Sequence, residues 1–163
     1  TGVGETAAGL GLGLLPVMGA AIVQDGRRPI SAVAAGIPAF FMTFNLLLLN
    51  EFPDVAADLT GGRKNLVILL GRRRAALIYA AAGLLTPLSI LAAVAVRALP
   101  SASLAAVVPS LFLARPLCWA FRNPEMPVPI PAMSANVIWN LLTNAFLAVS
   151  LAAAAGLLDI PGF

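Results

Sequence analysis

Histidine is absent from all 163 residues, which removes histidine general bases and histidine-ligated metals at once. The single cysteine, Cys118, permits neither an internal disulfide nor a thiolate metal cluster. Charge is scarce as well: 10% of residues are charged and 60% hydrophobic, with a mean hydropathy of +0.95. A soluble domain carries roughly a quarter charged residues, so composition excludes that class. The formal charge of +3 is modest and informs through its placement; no nucleic-acid partner is expected. Thr1 is not an initiator methionine, and no charged n-region precedes the first apolar run. Both features point to a piece of a longer chain.

What is present is a series of five apolar runs, each near the ~20 residues that cross a bilayer core as helix. They cover about 6–23, 30–49, 75–96, 104–121 and 132–158, within a single membrane domain over residues 1–163. The fold expected is all-α, a multi-span transmembrane helical bundle. Gly9, Gly11, Gly13 and Gly19 on the first run suit close helix approach. Prolines inside the spans (Pro16, Pro38, Pro87, Pro109, Pro116) are tolerated in membrane bundles. The loop from Asn123 to Pro131 holds too many prolines for a helix and should be a stiff extended cap.

One stretch breaks the apolar pattern. From Asn50 to Gly71 the chain carries three of its seven acidic residues and two of its ten basic ones, and Arg72, Arg73 and Arg74 follow directly. Asn50, Asp54 and Asp58 recur every fourth residue, so a helix would line them along one face. Two carboxylates and an amide oxygen in a column suit a hard cation such as Mg²⁺, which usually takes one or two carboxylates plus waters and phosphate oxygens. Pro53 should make that helix kinked or restarted. Gly61 and Gly62 then form a turn that presents Arg63 and Lys64 to phosphate oxygens. The plainer reading is a solvated loop between membrane helices.

Orientation follows from the basic residues. Arg63, Lys64, Arg72, Arg73, Arg74, Arg115 and Arg122 lie towards the side of the Asn50 stretch, and Arg27, Arg28 and Arg97 towards the other. The positive-inside rule puts the stretch in the cytoplasm, with the arginine trio as its anchor. The Gln24–Pro29 turn and Phe163 should then face the opposite side. On the fifth run Asn136, Asn140, Thr143 and Asn144 share a helical face with Trp139. They either bond neighbouring helices or line a substrate cavity. Arg115 either snorkels to the interface or faces that cavity as a cation.

N-x-x-x-D-x-x-x-D followed by G-R-K-N-L and L-L-G-R resembles the second aspartate-rich motif of the UbiA superfamily of intramembrane prenyltransferases. The wording N-E-F-P-D and D-L-T-G-G-R-K-N-L is nearest to the 1,4-dihydroxy-2-naphthoate polyprenyltransferases, with Asn65 where threonine is more usual. The opening G-V-G-E and G-L-G-L-L-P-V-M-G-A also resembles the fifth helix of that branch. The resemblance covers essentially the whole chain, as the C-terminal half of a nine-helix fold. It implies a multi-pass enzyme of a bacterial inner or plasma membrane that moves a polyprenyl group from an allylic diphosphate to an aromatic acceptor. It also implies Mg²⁺ at Asn50, Asp54 and Asp58, with diphosphate at Arg63 and Lys64.

The family carries a first aspartate-rich motif as well, for a second Mg²⁺. This chain has no other such run, and its remaining acids, Glu5, Asp25, Glu125 and Asp159, are isolated in the sequence. An N-terminal half bearing that motif is therefore an expected partner, and the chain alone is expected to be inactive. Other acceptors (ubiquinone-, chlorophyll- or lipid-type), a non-catalytic membrane half and a transporter module are the alternatives. The last predicts ionisable residues at mid-span, and apart from Arg115 the spans have none.

Overall fold

The computed structural model describes residues 3–25 and 30–156, and every described segment of regular structure is helical. Five helices are long and apolar enough to cross a membrane: α1 (Gly4–Gln24), α2 (Ile30–Thr60), α4 (Arg72–Ala95), α5 (Ser101–Arg122) and α6 (Ile130–Ala154). A short helix, α3 (Leu66–Leu70), joins α2 to α4. The five expected spans are therefore present. Most of the Gln24–Pro29 turn, the end of the fifth run at 157–158, Asp159 and Phe163 lie outside the described residues.

α2 is the hub. In its most apolar window 61% of residues are buried, against 11–39% in the other spans, so the others turn much of their surface outward. Exposed Leu, Ile, Val and Phe on those faces suit a lipid surround, where apolar exposure carries no hydration cost. Two cross-links fasten the core. Asn45 Nδ2 on α2 donates to the Tyr79 carbonyl on α4 at 3.0 Å. The Tyr79 hydroxyl donates to Asn136 Oδ1 on α6 at 2.8 Å. Such bonds give directional contacts where lipid supplies no hydrophobic drive between helices.

α1 lies against α2 through glycine. A β-carbon on Gly13 would stand 2.6 Å from the Ala39 carbonyl oxygen, and one on Gly9 would stand 2.8 Å from the Phe40 ring. Gly11 and Gly19 meet nothing within 4 Å, so only two of the four glycines perform the expected close approach. The helix widens to π-helical geometry over Gly9–Leu14, where this contact is made. α5 departs in the other direction. Its first 13 residues, Ser101–Leu113, wind as a 3₁₀-helix before Ala114–Arg122 returns to α. At roughly 2.0 Å per residue this tighter form advances about 26 Å, most of a bilayer core. It is pinned to α6 by the buried Ser103–Ser150 hydroxyl pair at 2.8 Å.

α2 runs unbroken through Pro38 and Pro53 to Thr60, well past the expected end at 49. The helix does not restart at Pro53, and the turn before it is held from outside. Phe52 is buried with its ring edge-on to Trp119 at 4.8 Å, and its carbonyl accepts a hydrogen bond from Arg72 Nη1 at 3.0 Å. The segment from Asn123 to Pro129 is irregular, and Pro131 sits in the first turn of α6, where its missing N–H costs nothing.

Candidate functional site

The polar end of α2 and the turn after it form one connected unit. Asp58 is buried and accepts from two side chains: Arg63 Nη1 at 3.2 Å on Oδ1, and Asn65 Nδ2 at 2.8 Å on Oδ2. Asn65 also caps α3, its Oδ1 accepting from the Ile68 N–H at 2.9 Å. The amide thus does two jobs with two atoms, which explains how asparagine serves at this position. The Arg63 N–H closes on the Asp58 carbonyl at 2.9 Å, and Gly62 at φ +68° supplies the left-handed residue that this reversal needs.

The Arg63 side chain is 76% exposed, so its pairing with Asp58 is worth only ~0.2–1 kcal/mol. That balance leaves the guanidinium able to turn to an anionic ligand at little cost. Asp58 itself stays oriented by the buried Asn65 bond. Lys64 is exposed beside Arg63 and lines the same cavity.

This cavity, of about 240 Å³, is lined by Gly4, Glu5, Leu47, Glu51, Asp58, Arg63, Lys64 and Asn65. Asn50 and Asp54 stand on the same end of α2 but are exposed and do not line it. The expected column therefore divides: Asp58 is enclosed with the cations, and Asn50 and Asp54 present unbonded oxygens outside. Among the described residues no three acidic side chains converge to hold a metal by themselves. A hard cation here would need waters or ligand oxygens to complete its shell, which is the usual habit of Mg²⁺. Asp58 retains lone pairs beyond its two hydrogen bonds, so the donor set fits such an ion.

Two residues at this site were not legible as members of it. Glu5, isolated in the sequence, is fully buried here on α1, and its Oε1 accepts the Leu66 N–H at 2.6 Å. Glu51 from α2 faces Glu5 within hydrogen-bonding reach. The available signal was the i, i+7 spacing of Glu51 and Asp58, which places both on one helix face.

The remaining candidates lie elsewhere. Asn136 is buried in its bond to Tyr79, and Asn140 and Asn144 pair with each other at 3.0 Å towards the exposed side of α6. Arg115 is exposed and lines a separate cavity of about 700 Å³ with Cys118, Trp119 and Met126. None of these four lines the Asp58 cavity. Arg72, expected to act through charge alone, makes three hydrogen bonds that join the end of α2 to the proline-rich loop.

Comparison with curated proteins and with solved structures returns no match. The model of the UbiA prenyltransferase family matches residues 1–142, nearly the whole chain. With five membrane-length helices and an acid–base turn at the end of the central one, the chain belongs to the UbiA prenyltransferase family, integral membrane enzymes that transfer a prenyl group to an aromatic or lipid acceptor.

Proposed function

We propose that this chain carries the diphosphate-binding end of a polyprenyltransferase whose acceptor is 1,4-dihydroxy-2-naphthoate, a step in menaquinone formation. The observation that carries the reading is the Asp58–Arg63–Asn65 unit lining one cavity, with Lys64 beside it and Asn50 and Asp54 on the adjoining turns of α2. Carboxylate oxygens and exposed cations side by side are what a metal-bound diphosphate needs, and a solvated loop has no reason to bury Asp58.

Asn50, Asp54 and Asp58 would hold Mg²⁺, which when bound neutralises charge on the diphosphate. Arg63 and Lys64 take the non-bridging phosphate oxygens, and the weak Arg63–Asp58 pair lets the guanidinium move to them. The allylic C–O bond breaks with its electron pair leaving on pyrophosphate, where these cations stabilise the developing charge. The ring carbon bearing the carboxyl attacks the allylic carbon, a C–C bond forms, and carbon dioxide departs. The exposed oxygens of Asn50 and Asp54 leave room for a further carboxylate group opposite them. An N-terminal half carrying a first aspartate-rich motif would supply it, and the chain alone is proposed to be inactive.

The test uses membranes from cells expressing the intact gene product, Mg²⁺ and radiolabelled polyprenyl diphosphate. Dihydroxynaphthoate should yield a decarboxylated prenyl-naphthoquinol at a rate at least tenfold above that with 4-hydroxybenzoate. The reverse preference would discard this acceptor while leaving prenyl transfer.

The motif end is proposed to face the cytoplasm, since seven of ten basic residues sit towards it. A cysteine at position 60 in a Cys118→Ala background should resist an impermeant maleimide in intact cells and react in inverted vesicles. Labelling in intact cells would reverse the orientation.

A further inference from the structure

Glu5 and Glu51 reach the Asp58 cavity from different helices, and neither carboxyl is fully used. Glu5 Oε1 is occupied by the Leu66 N–H, but Glu5 Oε2 and Glu51 Oε2 are both buried without a hydrogen-bond partner. Glu5 as a whole is 0% exposed. A buried polar atom left unsatisfied costs about 1–3 kcal/mol, more when charged, so two carboxyls within reach of each other need either a shared proton or a cation between them. Arg63 already serves Asp58 and keeps most of its side chain outside. The cavity adjoining the pair, about 240 Å³, has room for a cation with several waters at ~30 Å³ each.

We infer that Glu5 and Glu51 hold a divalent cation, at a site adjoining the Asn50–Asp54–Asp58 column and built across α1 and α2. Two carboxylates are the protein share that Mg²⁺ commonly takes, and the absence of a third converging acid among the described residues leaves coordination positions for water or an incoming phosphate. The cation ties α1 to the end of α2, while Glu5 Oε1 keeps its hold on the first N–H of α3. Its use in binding diphosphate rests on the proposed function; its existence does not.

The experiment measures Mn²⁺ binding by electron paramagnetic resonance to the purified chain in lipid nanodiscs, without diphosphate. The wild-type chain should bind Mn²⁺, and Glu51→Gln should weaken that binding at least tenfold. Glu5→Gln should do the same while keeping an oxygen for the Leu66 N–H, and an unchanged melting temperature would verify the fold. Glu125→Gln, at an exposed position that does not line the cavity, should retain the binding. No Mn²⁺ binding by the wild type overturns the site, as does wild-type affinity in Glu51→Gln or an equal loss in Glu125→Gln. Failure of the proposed function reads out separately: absent prenyl transfer with Glu51-dependent Mn²⁺ binding would leave this site standing. Normal transfer with Glu51-independent binding would remove the site and keep the function.

Discussion

Asp54→Asn should lower prenyl transfer by about a hundredfold or more and leave thermal stability within about 0.5 kcal/mol of wild type. The activity estimate is the scale on which loss of one group stabilising developing negative charge acts. The stability estimate follows from exposure: among the described residues Asp54 has no hydrogen-bond or ion-pair partner, so the fold loses little with its charge. Asp58→Asn should cost activity on the same scale but also about 1 kcal/mol of stability, because Asp58 orients Arg63 and Asn65 around the turn. Transfer assays in membranes at saturating Mg²⁺, paired with melting of the purified proteins, give both readings. Wild-type rates in both variants would sink the assignment of this column. An equal stability loss in Asp54→Asn would show that it acts through the fold.

The contrast between these two aspartates marks where sequence reading runs out. Spacing every four residues puts Asn50, Asp54 and Asp58 on one helical line, and the helix is there. Spacing carries no information about which part of that line another helix covers. α1 brings Glu5 over the Glu51 and Asp58 positions and leaves Asn50 and Asp54 uncovered. Glu5 was invisible for the same reason, since 61 residues separate it from its hydrogen-bond partner Leu66. The spans were legible because apolar length is a local property. Helix type was not: α1 widens where Gly9 and Gly13 meet α2, and the 3₁₀ winding of α5 accompanies its packing on α6 through Ser103 and Ser150. The restart expected at Pro53 does not occur, and the turn before it is gripped at Phe52 by Arg72, a residue whose sequence context suggested charge alone.

Arg72→Ala is accordingly expected to destabilise the protein by about 2–4 kcal/mol, the range for losing several hydrogen bonds from one charged, half-buried group. Its guanidinium donates to the Phe52 carbonyl at 3.0 Å, the Pro124 carbonyl at 3.2 Å and the Met126 carbonyl at 2.9 Å. It also lies 5.2 Å from the centre of the Phe52 ring, an added cation–π contact. Trp119 completes the clamp, its Nε1 donating to the same Met126 carbonyl at 3.1 Å. One side chain thereby fixes the proline-rich loop to the turn of α2 just before Asp54. Arg72→Lys separates geometry from charge. Lysine keeps the positive charge on which the proposed orientation rests, but one ammonium cannot spread to three carbonyls as the planar fork does. It should recover less than half of the lost stability while leaving orientation unchanged. Arg73→Ala and Arg74→Ala, at exposed positions, should shift the melting temperature little. Full recovery of stability by Arg72→Lys would show that charge, not the fork, holds this end of the site. Equal losses at all three arginines would mean that the trio acts as a single electrostatic anchor.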